Sequence, residues 1–377
     1  MRIFLFFFLL IPLCLNAQTD SILTILQSRI NHSGKHKVHS ILFYLEKTKG
    51  DFIFHEGLGL TKKKGEIASK DAQFKIASIT KPFVATIVLQ LAEERKLQLE
   101  DKIFEYLKAV NFLNFENFHF YEKESYVKDI TIEHLLSHRS GLADIFNDKG
   151  FRFYSGVFLN KKKQYSPEAI VEKYFKYGLN RKAHFMPGDD FYYSDMNYVL
   201  LGLLIQQIER KSLAEVIKTR ILGPLNMKDT YLEFYEPTNG NRQKVHQYIK
   251  KMDMTKVNTS FDWAGGGLVS TNVDLATFIK AFFNGQLINK ASLQKMTSMK
   301  FTQEHHNRYG LGLYESKYNG DIYYGHYGFY GSYLGYCPEK EIVIAYNISQ
   351  SNTDFYVSEL VNDILIFFEG GDNEKVN

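Results

Sequence analysis

A serine and a lysine stand three residues apart, Ser78 and Lys81, just before the apolar run 84–91. Residues three apart on a helix share one face, so the lysine side chain can reach the serine hydroxyl. A hydroxyl beside a proton acceptor is the arrangement of nucleophilic catalysis. The alternative is a helix-capping serine with a surface lysine, since Ser-x-x-Lys also occurs at Ser125 and Ser292.

The residues after the pair predict the helix that positions it. Val84, Ile87, Val88 and Leu91 recur at the spacing of a buried helical stripe. Pro82 is tolerated only near a helix start, which places Ser78 in the first turn. The unpaired N–H groups of a helix start can stabilise an oxyanion.

Two later stretches carry further candidates. Tyr193 and Asp195 lie in one, where a tyrosine can share a proton with a lysine and a carboxylate can hold that lysine. His326, Gly328 and Phe329 lie in the other, where glycine would let a substrate approach the backbone and the next amide could donate to an oxyanion. Tyr193 as a packed aromatic and His326 as a structural residue remain open alternatives.

Other chemistries lack their motifs. The sequence contains no Gly-x-Ser-x-Gly, no His-Glu-x-x-His and no glycine-rich phosphate loop. We interpret His134 and His138 as structural, and we expect neither a metal nor another cofactor.

The charge pattern argues against a nucleic-acid partner. The chain of 377 residues has a formal net charge of +4, and its lysine runs at 62–64, 161–163 and 250–251 are short and scattered. Such runs are typical of solvated loops, whereas nucleic-acid binding needs a concentrated basic surface or a known module.

The N-terminus predicts export. A positive start, an apolar block at 3–11 and the small Ala17 indicate a signal peptide over residues 1–17, and no membrane span remains after its removal. Lipoprotein processing at Cys14 is disfavoured by the bulky Leu13, and an uncleaved anchor is the other alternative. Cys337 would be the one cysteine left, which excludes an intramolecular disulfide and suggests a packed strand residue. We therefore expect a periplasmic or secreted protein.

Hydrophobic patterning predicts strands at both ends of the chain and helices between them. The predicted helices are 20–31, 198–208, 213–222 and 356–368 within a largely helical 82–255, and the predicted strands are 40–46, 51–55, 321–326, 331–337 and 341–346. This indicates a single catalytic domain over 18–377. Its sheet lobe would comprise 18–81 and 256–377, with a helical lobe inserted at 82–255.

The three candidate stretches, in this order, resemble the serine β-lactamase and penicillin-binding-protein family. The similar branch contains class C β-lactamases, D-alanyl-D-alanine carboxypeptidases and related esterases. The segments 131–142, 223–230 and 264–271 resemble the same family, and the resemblance covers roughly residues 35–350.

The resemblance implies a β-lactamase/transpeptidase-like α/β fold of the α+β kind, with an antiparallel sheet flanked by helices. It implies that Ser78 is acylated, that Lys81 and Tyr193 handle protons, and that the amides of Ser78 and Phe329 form an oxyanion hole. It also implies a small-molecule or peptidoglycan-type peptide substrate.

Two residues depart from the family pattern. Asp195 replaces an asparagine and should favour a protonated Lys81, which moves the role of base toward Tyr193. His326 replaces the lysine usual in β-lactamases, which favours a peptidase or esterase. We expect an exported serine hydrolase acting on a D-amino-acid peptide, in carboxypeptidase fashion, or on a small ester. A β-lactamase and a binding or sensing protein without turnover are the alternatives.

Overall fold

The computed structural model describes residues 7–48, 52–238, 240–299, 301–302 and 308–373. Residues 1–6 of the predicted signal peptide and residues 49–51, at the junction of the first two predicted strands, lie outside these ranges. No helix in the described part of the chain is long and apolar enough to cross a membrane.

The described strands are short except in the main sheet. In chain order they are β1 (Ser40–Lys47), β2 (Phe52–Gly59), β3 (Phe74–Lys75), β4 (Phe120–Tyr121), β5 (Glu124–Ser125), β6 (Tyr231–Leu232), β7 (Tyr248–Ile249), β8 (Met252–Asp253), β9 (Leu268–Ser270), β10 (Phe301–Thr302), β11 (Arg308–Tyr309), β12 (Tyr314–Tyr318), β13 (Asp321–Gly328), β14 (Ser332–Cys337) and β15 (Ile342–Ile348).

Most of the described α-helices lie between β3 and β10. In chain order they are α1 (Phe7–Ser28), α2 (Thr80–Glu93), α3 (Ile103–Leu107), α4 (Ile132–Leu136), α5 (Ile145–Asp148), α6 (Gly150–Leu159), α7 (Pro167–Lys176), α8 (Asp195–Glu209), α9 (Leu213–Ile217), α10 (Trp263–Gly266), α11 (Asn272–Phe283), α12 (Lys290–Thr297) and α13 (Val357–Asn373).

The main sheet joins the two ends of the chain. Its strand order is β10-β11-β12-β13-β14-β15-β1-β2, and every neighbouring pair is antiparallel. The register of β1 against β15 runs from Ile41 opposite Ile348 to Lys47 opposite Ile342. Leu42 and Tyr44 pack toward the large helical core, while Ile41 and Phe43 pack on the opposite face. Because side chains alternate along a strand, β1 is buried on both faces.

A second, three-stranded sheet of order β3-β9-β6 leads into the Ser78 segment. The amide of Ile76 donates to the carbonyl of Leu268 on β9 at 3.0 Å, and the Leu268 amide donates to Thr80 Oγ1 at 3.1 Å. This small sheet therefore fixes both ends of the turn that carries Ser78.

Helices α2, α8 and α10 meet behind that turn. A Cβ built on Gly202 of α8 would lie 2.6 Å from Ala264 Cβ and 2.9 Å from the Trp263 ring. Glycine at 202 therefore allows α8 to approach α10 closely, so that Asp195, at the start of α8, can reach Lys81.

The predicted mixture of an antiparallel sheet and helices is present, with boundary differences. The first helix ends at Ser28 rather than 31, and the last begins at Val357 and extends to Asn373. The predicted helix 213–222 divides into α9 and a π-helical turn, Lys218–Leu222. Cys337 is buried at the end of β14. The division into two lobes stays a prediction.

Candidate active site

Ser78 lies in a 3₁₀ turn, Ala77–Ile79, that leads directly into α2. The sequence predicted Ser78 in the first turn of the helix, and it lies just before the α-helical residues. Ala77 has a φ of +48°, in the left-handed region that costs a residue with a side chain about 1–2 kcal/mol. This strained turn brings Ser78 to the wall of a cavity.

Lys81 is fully buried beneath Ser78, with 0% of its surface exposed. Its Nζ lies 3.1 Å from Ser78 Oγ, 2.5 Å from Asp195 Oδ1 and 2.8 Å from the carbonyl oxygen of Gly265. An ammonium has three N–H donors, and these three oxygens satisfy all of them. The ion pair with Asp195 and the nearby Tyr193 ring, centred 4.9 Å from Nζ, further stabilise the charged form.

Tyr193 lines the same cavity as Ser78. Burial raises the pKa of the Tyr193 phenol well above its ordinary value, and the negative charge of Asp195 raises it further, while the Ser78 hydroxyl acts to lower it. Tyr193 is therefore a neutral phenol at neutral pH. In the resting site Tyr193 is thus not in the form that accepts a proton.

The cavity beside Ser78 has a volume of about 180 Å³. Ser78, Tyr193, Asp195 and Phe329 line it, so the structure brings four of the seven predicted site residues to one surface. The other lining residues are Ala77, Phe146, Asn147, Tyr154, Asp262, Gly265, Gly266 and Tyr330. Lys81 does not line the cavity itself, but its Nζ contacts Ser78 and Asp195, which do.

His326 does not line this cavity. It is buried, its Nδ1 donates to the Tyr327 carbonyl at 2.7 Å, and its Nε2 accepts from the Tyr309 hydroxyl at 3.3 Å. Burial, reinforced by the charge of Lys81, lowers the pKa of His326 to about 3. The ring is therefore neutral and both nitrogens already have protein partners, which matches the structural alternative better than a substrate contact.

Gly328 also does not line the cavity. Close packing within the chain, rather than the approach of a substrate, explains why this position requires glycine. A Cβ at this position would lie 2.1 Å from Ser332 Oγ and 2.2 Å from the carbonyl oxygen of Ile76. The group that approaches the backbone of Gly328 is thus the chain's own Ser78 segment rather than a substrate. The glycine lets β13 pack against the nucleophile turn.

Two carboxyl groups beside the site were not predicted from the sequence: Asp144, which is buried, and Asp262, which is partly buried. Asp144 accepts the amides of Phe146 and Asn147 with one oxygen and the amide of Asp195 with the other at 2.8 Å. Asp262 accepts from the Tyr330 hydroxyl at 2.6 Å and lines the cavity. Asp144 lies two residues after the segment 131–142, and Asp262 lies two residues before the segment 264–271. Both segments resemble the β-lactamase family, and this proximity was the sequence feature that could have indicated the two carboxyl groups.

Burial raises the pKa of Asp144 to about 7, with a further contribution from the charge of Asp195. Burial likewise raises the pKa of Asp262 to about 7, although the hydrogen bond from Tyr330 opposes the shift. The charge of Asp195 thus acts on both Asp144 and Asp262, and Asp195 itself is paired with Lys81. None of the described residues lining the cavity is basic.

His134 and His138 have separate structural contacts. His134 completes the N-terminal cap of α4, where its amide donates to Thr131 Oγ1 and its Nδ1 accepts the Thr131 amide. His138 Nδ1 accepts the amide of Ser194 at 3.2 Å and lies 2.9 Å from Asn197 Nδ2. His138 thus fixes the segment that carries Tyr193 and Asp195.

Comparison with known proteins gives the class of this chain. The family described as Beta-lactamase matches residues 48–365. The chain belongs to this family, and the resemblance predicted from the three stretches is confirmed. The family establishes the class of the protein as a β-lactamase-related serine hydrolase.

Curated relatives are penicillin-binding proteins. Penicillin-binding protein 4* of Bacillus subtilis (strain 168) is 26% identical over 331 residues, which cover 81% of this chain and 67% of that protein. A putative penicillin-binding protein, PbpX, of the same organism is 25% identical over 70% of this chain and 59% of that protein. The chain thus spans about three-fifths to two-thirds of the length of these relatives.

Solved structures confirm the predicted fold class. D-amino acid amidase from Ochrobactrum anthropi SV3, complexed with L-phenylalanine amide, has a TM-score of 0.78 at 22% identity over 94% of this chain and 99% of that chain. A D-stereospecific amidohydrolase from Streptomyces sp. has a TM-score of 0.77 at 23% identity over 93% of this chain and 99% of that chain.

Proposed function

We propose that this protein is an exported serine hydrolase that works through an acyl-enzyme on small amides or esters. The carrying observation is a serine hydroxyl on a cavity wall that Tyr193 also lines, with Lys81 Nζ 3.1 Å from that hydroxyl. Export rests on the N-terminal pattern of residues 1–17.

The first step supplies a base. Lys81 passes one proton to Asp195 along their 2.5 Å hydrogen bond, which leaves an amine and a neutral carboxylic acid. Substrate that displaces water from the cavity favours this neutral pair, because burial disfavours charged groups. The amine of Lys81 then takes the proton of Ser78.

Ser78 Oγ next forms a bond to the substrate carbonyl carbon, and the carbonyl oxygen becomes an oxyanion. The amides of Ser78 and Phe329, whose residues line the same cavity, are the proposed donors to that oxyanion. Tyr193 gives its proton to the leaving nitrogen or oxygen as the bond to the carbonyl carbon breaks, and regains a proton from Lys81. Water releases the acyl group by the reverse sequence, after which Asp195 returns its proton to Lys81.

The charge of the cavity favours substrates without a carboxylate beside the reacting bond. Asp195 and Asp262 line the cavity, Lys81 is already paired and His326 is neutral. A carboxylate, as in a penicillin or a C-terminal peptide, would meet two carboxyl groups, and none of the described lining residues offers it a cation. An amino-acid amide or ester with a free ammonium and an apolar side chain fits the acidic wall and the rings of Phe146 and Tyr154 better.

Paired substrates test this proposal. The release of ammonia from D- and L-phenylalanine amide is compared with that from the N-acetylated amides, and penicillin hydrolysis is measured in parallel. We expect turnover that Ser78→Ala abolishes and a kcat/KM highest for a free amino-acid amide. Turnover that survives in Ser78→Ala contradicts the acyl-enzyme, and a preference for penicillin contradicts the substrate class. Acylation without product release identifies the binding or sensing alternative.

A further inference from the structure

Helix α6 exposes two large apolar side chains on the side facing away from the core. Phe151 is 92% exposed and Leu159 is 90% exposed, whereas Phe153 and Val157 are buried. Residues 151, 155 and 159 are each four apart and so form one stripe, about 12 Å long at 1.5 Å per residue. An outward stripe with apolar residues at both ends has no role in packing the described core.

Basic residues lie on α6, directly after it and on the neighbouring α7. We define the basic patch by the following residues: Arg152, Lys161, Lys162, Lys163, Lys173 and Lys176.

Ring contacts show that this patch is contiguous across α6 and α7. The Arg152 guanidinium lies 4.7 Å and Lys173 Nζ 5.6 Å from the centre of the Tyr177 ring. Lys163 and Lys173 likewise share the Tyr165 ring, at 5.2 and 5.7 Å. The charges of Lys176 and Arg152 help burial to lower the pKa of Lys173, as expected for cations that lie close together. The residues thus form a single positive surface.

This surface lacks matching negative charge. No Asp or Glu occurs from residue 149 to 166. Glu168 and Glu172 lie on α7, yet within the described ranges neither forms an ion pair with any residue of the basic patch. The positive charge is therefore available to an external partner.

We propose that the outer face of α6, with the basic patch, docks on the surface of a membrane containing anionic lipids. Exposed Phe and Leu beside clustered Lys and Arg are the composition of helices that lie in the lipid headgroup region. A soluble anionic polymer would satisfy the lysines and leave Phe151 and Leu159 in water. A membrane satisfies both, because it offers negative headgroups above an apolar interior.

Docking of α6 on a membrane would also determine how close the cavity lies to the lipid surface. Tyr154 lies on the same helix and lines the cavity beside Ser78. The docked helix therefore holds that cavity close to the lipid surface. Membrane docking of α6 would determine the location of the protein and does not depend on the acyl-enzyme chemistry of Ser78.

A tryptophan on the stripe gives a local test. Trp263 is the one tryptophan of the chain and is buried, so Leu159→Trp adds a fluorophore at an exposed site. The full chain is mixed with vesicles of brominated phosphatidylglycerol, whose bromines quench only tryptophans that enter the bilayer. We expect Leu159→Trp to be quenched and blue-shifted well beyond the wild type. The readout is local, so other membrane contacts of the chain do not affect it.

Matched controls use a second lysine run. Ile67 is 77% exposed beside Lys62–Lys64, and Ile67→Trp should be quenched no more than the wild type. In the Leu159→Trp protein, changing Lys161, Lys162 and Lys163 to Gln should weaken partitioning about 100-fold, at about fivefold per lysine. The same change at Lys62–Lys64 should leave partitioning within a few-fold.

Two results would overturn the proposal. Quenching of Leu159→Trp no greater than that of wild-type Trp263 would exclude the bilayer and leave the stripe to a protein partner or a second copy. Equal quenching in brominated phosphatidylcholine would exclude an anionic surface. Circular dichroism checks that each variant is folded.

Discussion

Lys81 and Asp195 define the chemical state of the site at the scale of single residues. The Lys81 side chain donates hydrogen bonds to three oxygens, one of which belongs to the Asp195 carboxylate. The same carboxylate raises the pKa of Tyr193. Asp195 was expected to move the role of base toward Tyr193, but burial and this charge together raise the Tyr193 pKa and so disfavour the phenolate form that could accept a proton. The proposed transfer of a proton from Lys81 to Asp195 supplies a base without deprotonating Tyr193.

Removal of either member of the nucleophile pair should abolish most activity. We expect Ser78→Ala and Lys81→Ala each to lower kcat at least about 10³-fold, and the double variant to lose little more, because residues of one proton path act as a unit. Steady-state kinetics on an amino-acid amide measures this. Losses that multiply in the double variant would show that the two residues act independently.

Asp195→Asn tests the proposed proton acceptor. An amide cannot take the Lys81 proton, so we expect kcat to fall about 10²-fold or more at pH 7, within the usual contribution of acid–base catalysis. Because the charge of Asp195 raises the pKa of Tyr193, the alkaline limb of the pH–rate profile should also move to lower pH. Unchanged kcat at pH 7 would remove Asp195 from the proton path.

Spacing was sufficient to predict Ser78 and Lys81 as neighbours, because helix geometry constrains residues three apart, whereas the family resemblance was needed to assign Tyr193 to the same site. They could not reveal Asp144 and Asp262, since the burial and shared environment of these carboxylates arise from segments distant in sequence. Spacing likewise could not show that His326 turns both ring nitrogens toward protein groups.

The contact between β13 and the Ser78 turn is the main positioning feature at the scale of elements. Ser332 Oγ donates to the Ile76 carbonyl at 3.0 Å, and Gly328 leaves room for that carbonyl. The last strands of the sheet therefore support the nucleophile from behind.

Gly328→Ala should displace this contact. A Cβ would lie within 2.2 Å of both Ile76 O and Ser332 Oγ, so we expect a loss of about 1–3 kcal/mol in unfolding free energy, typical of overpacking, together with a lower kcat. Urea unfolding and steady-state kinetics measure the two effects. Gly156→Ala is the matched control, because a Cβ there meets nothing within 4 Å. Equal effects of the two substitutions would contradict this role of Gly328.

Long, patterned elements were predictable, and special turns were not. The alternation of apolar residues predicted β13, β14 and β15 to within two residues of their observed bounds, because burial along a strand has a period of two. The left-handed Ala77 and the π turn at 218–222 carry no glycine or proline signal of their own. Tertiary contacts impose these conformations.

Buried carboxyl groups affect the stability of the whole molecule. The pKa of Asp262 is raised to about 7, above the value of about 3.9 for an unfolded aspartate. The folded state therefore binds the proton more tightly, and stability falls as pH rises from about 4 to 7, then levels off.

Asp262→Asn should remove this contribution while its amide oxygen still accepts from Tyr330. We expect the unfolding free energy of the variant to decline less between pH 5 and pH 8 than that of the wild type. Urea unfolding at both pH values measures the difference. Parallel declines in the two proteins would show that Asp262 titrates alike in the folded and unfolded states.

Trapping of the covalent intermediate tests the central claim most directly. Wild-type protein and Ser78→Ala are mixed with the p-nitrophenyl ester of phenylalanine, quenched in acid within milliseconds to seconds, and weighed intact by mass spectrometry. The account predicts a single added acyl group on the wild type, located on Ser78 by peptide mapping, and no addition to the variant. An equal adduct on Ser78→Ala, or ester turnover by wild type with the acyl group on another residue, would contradict it.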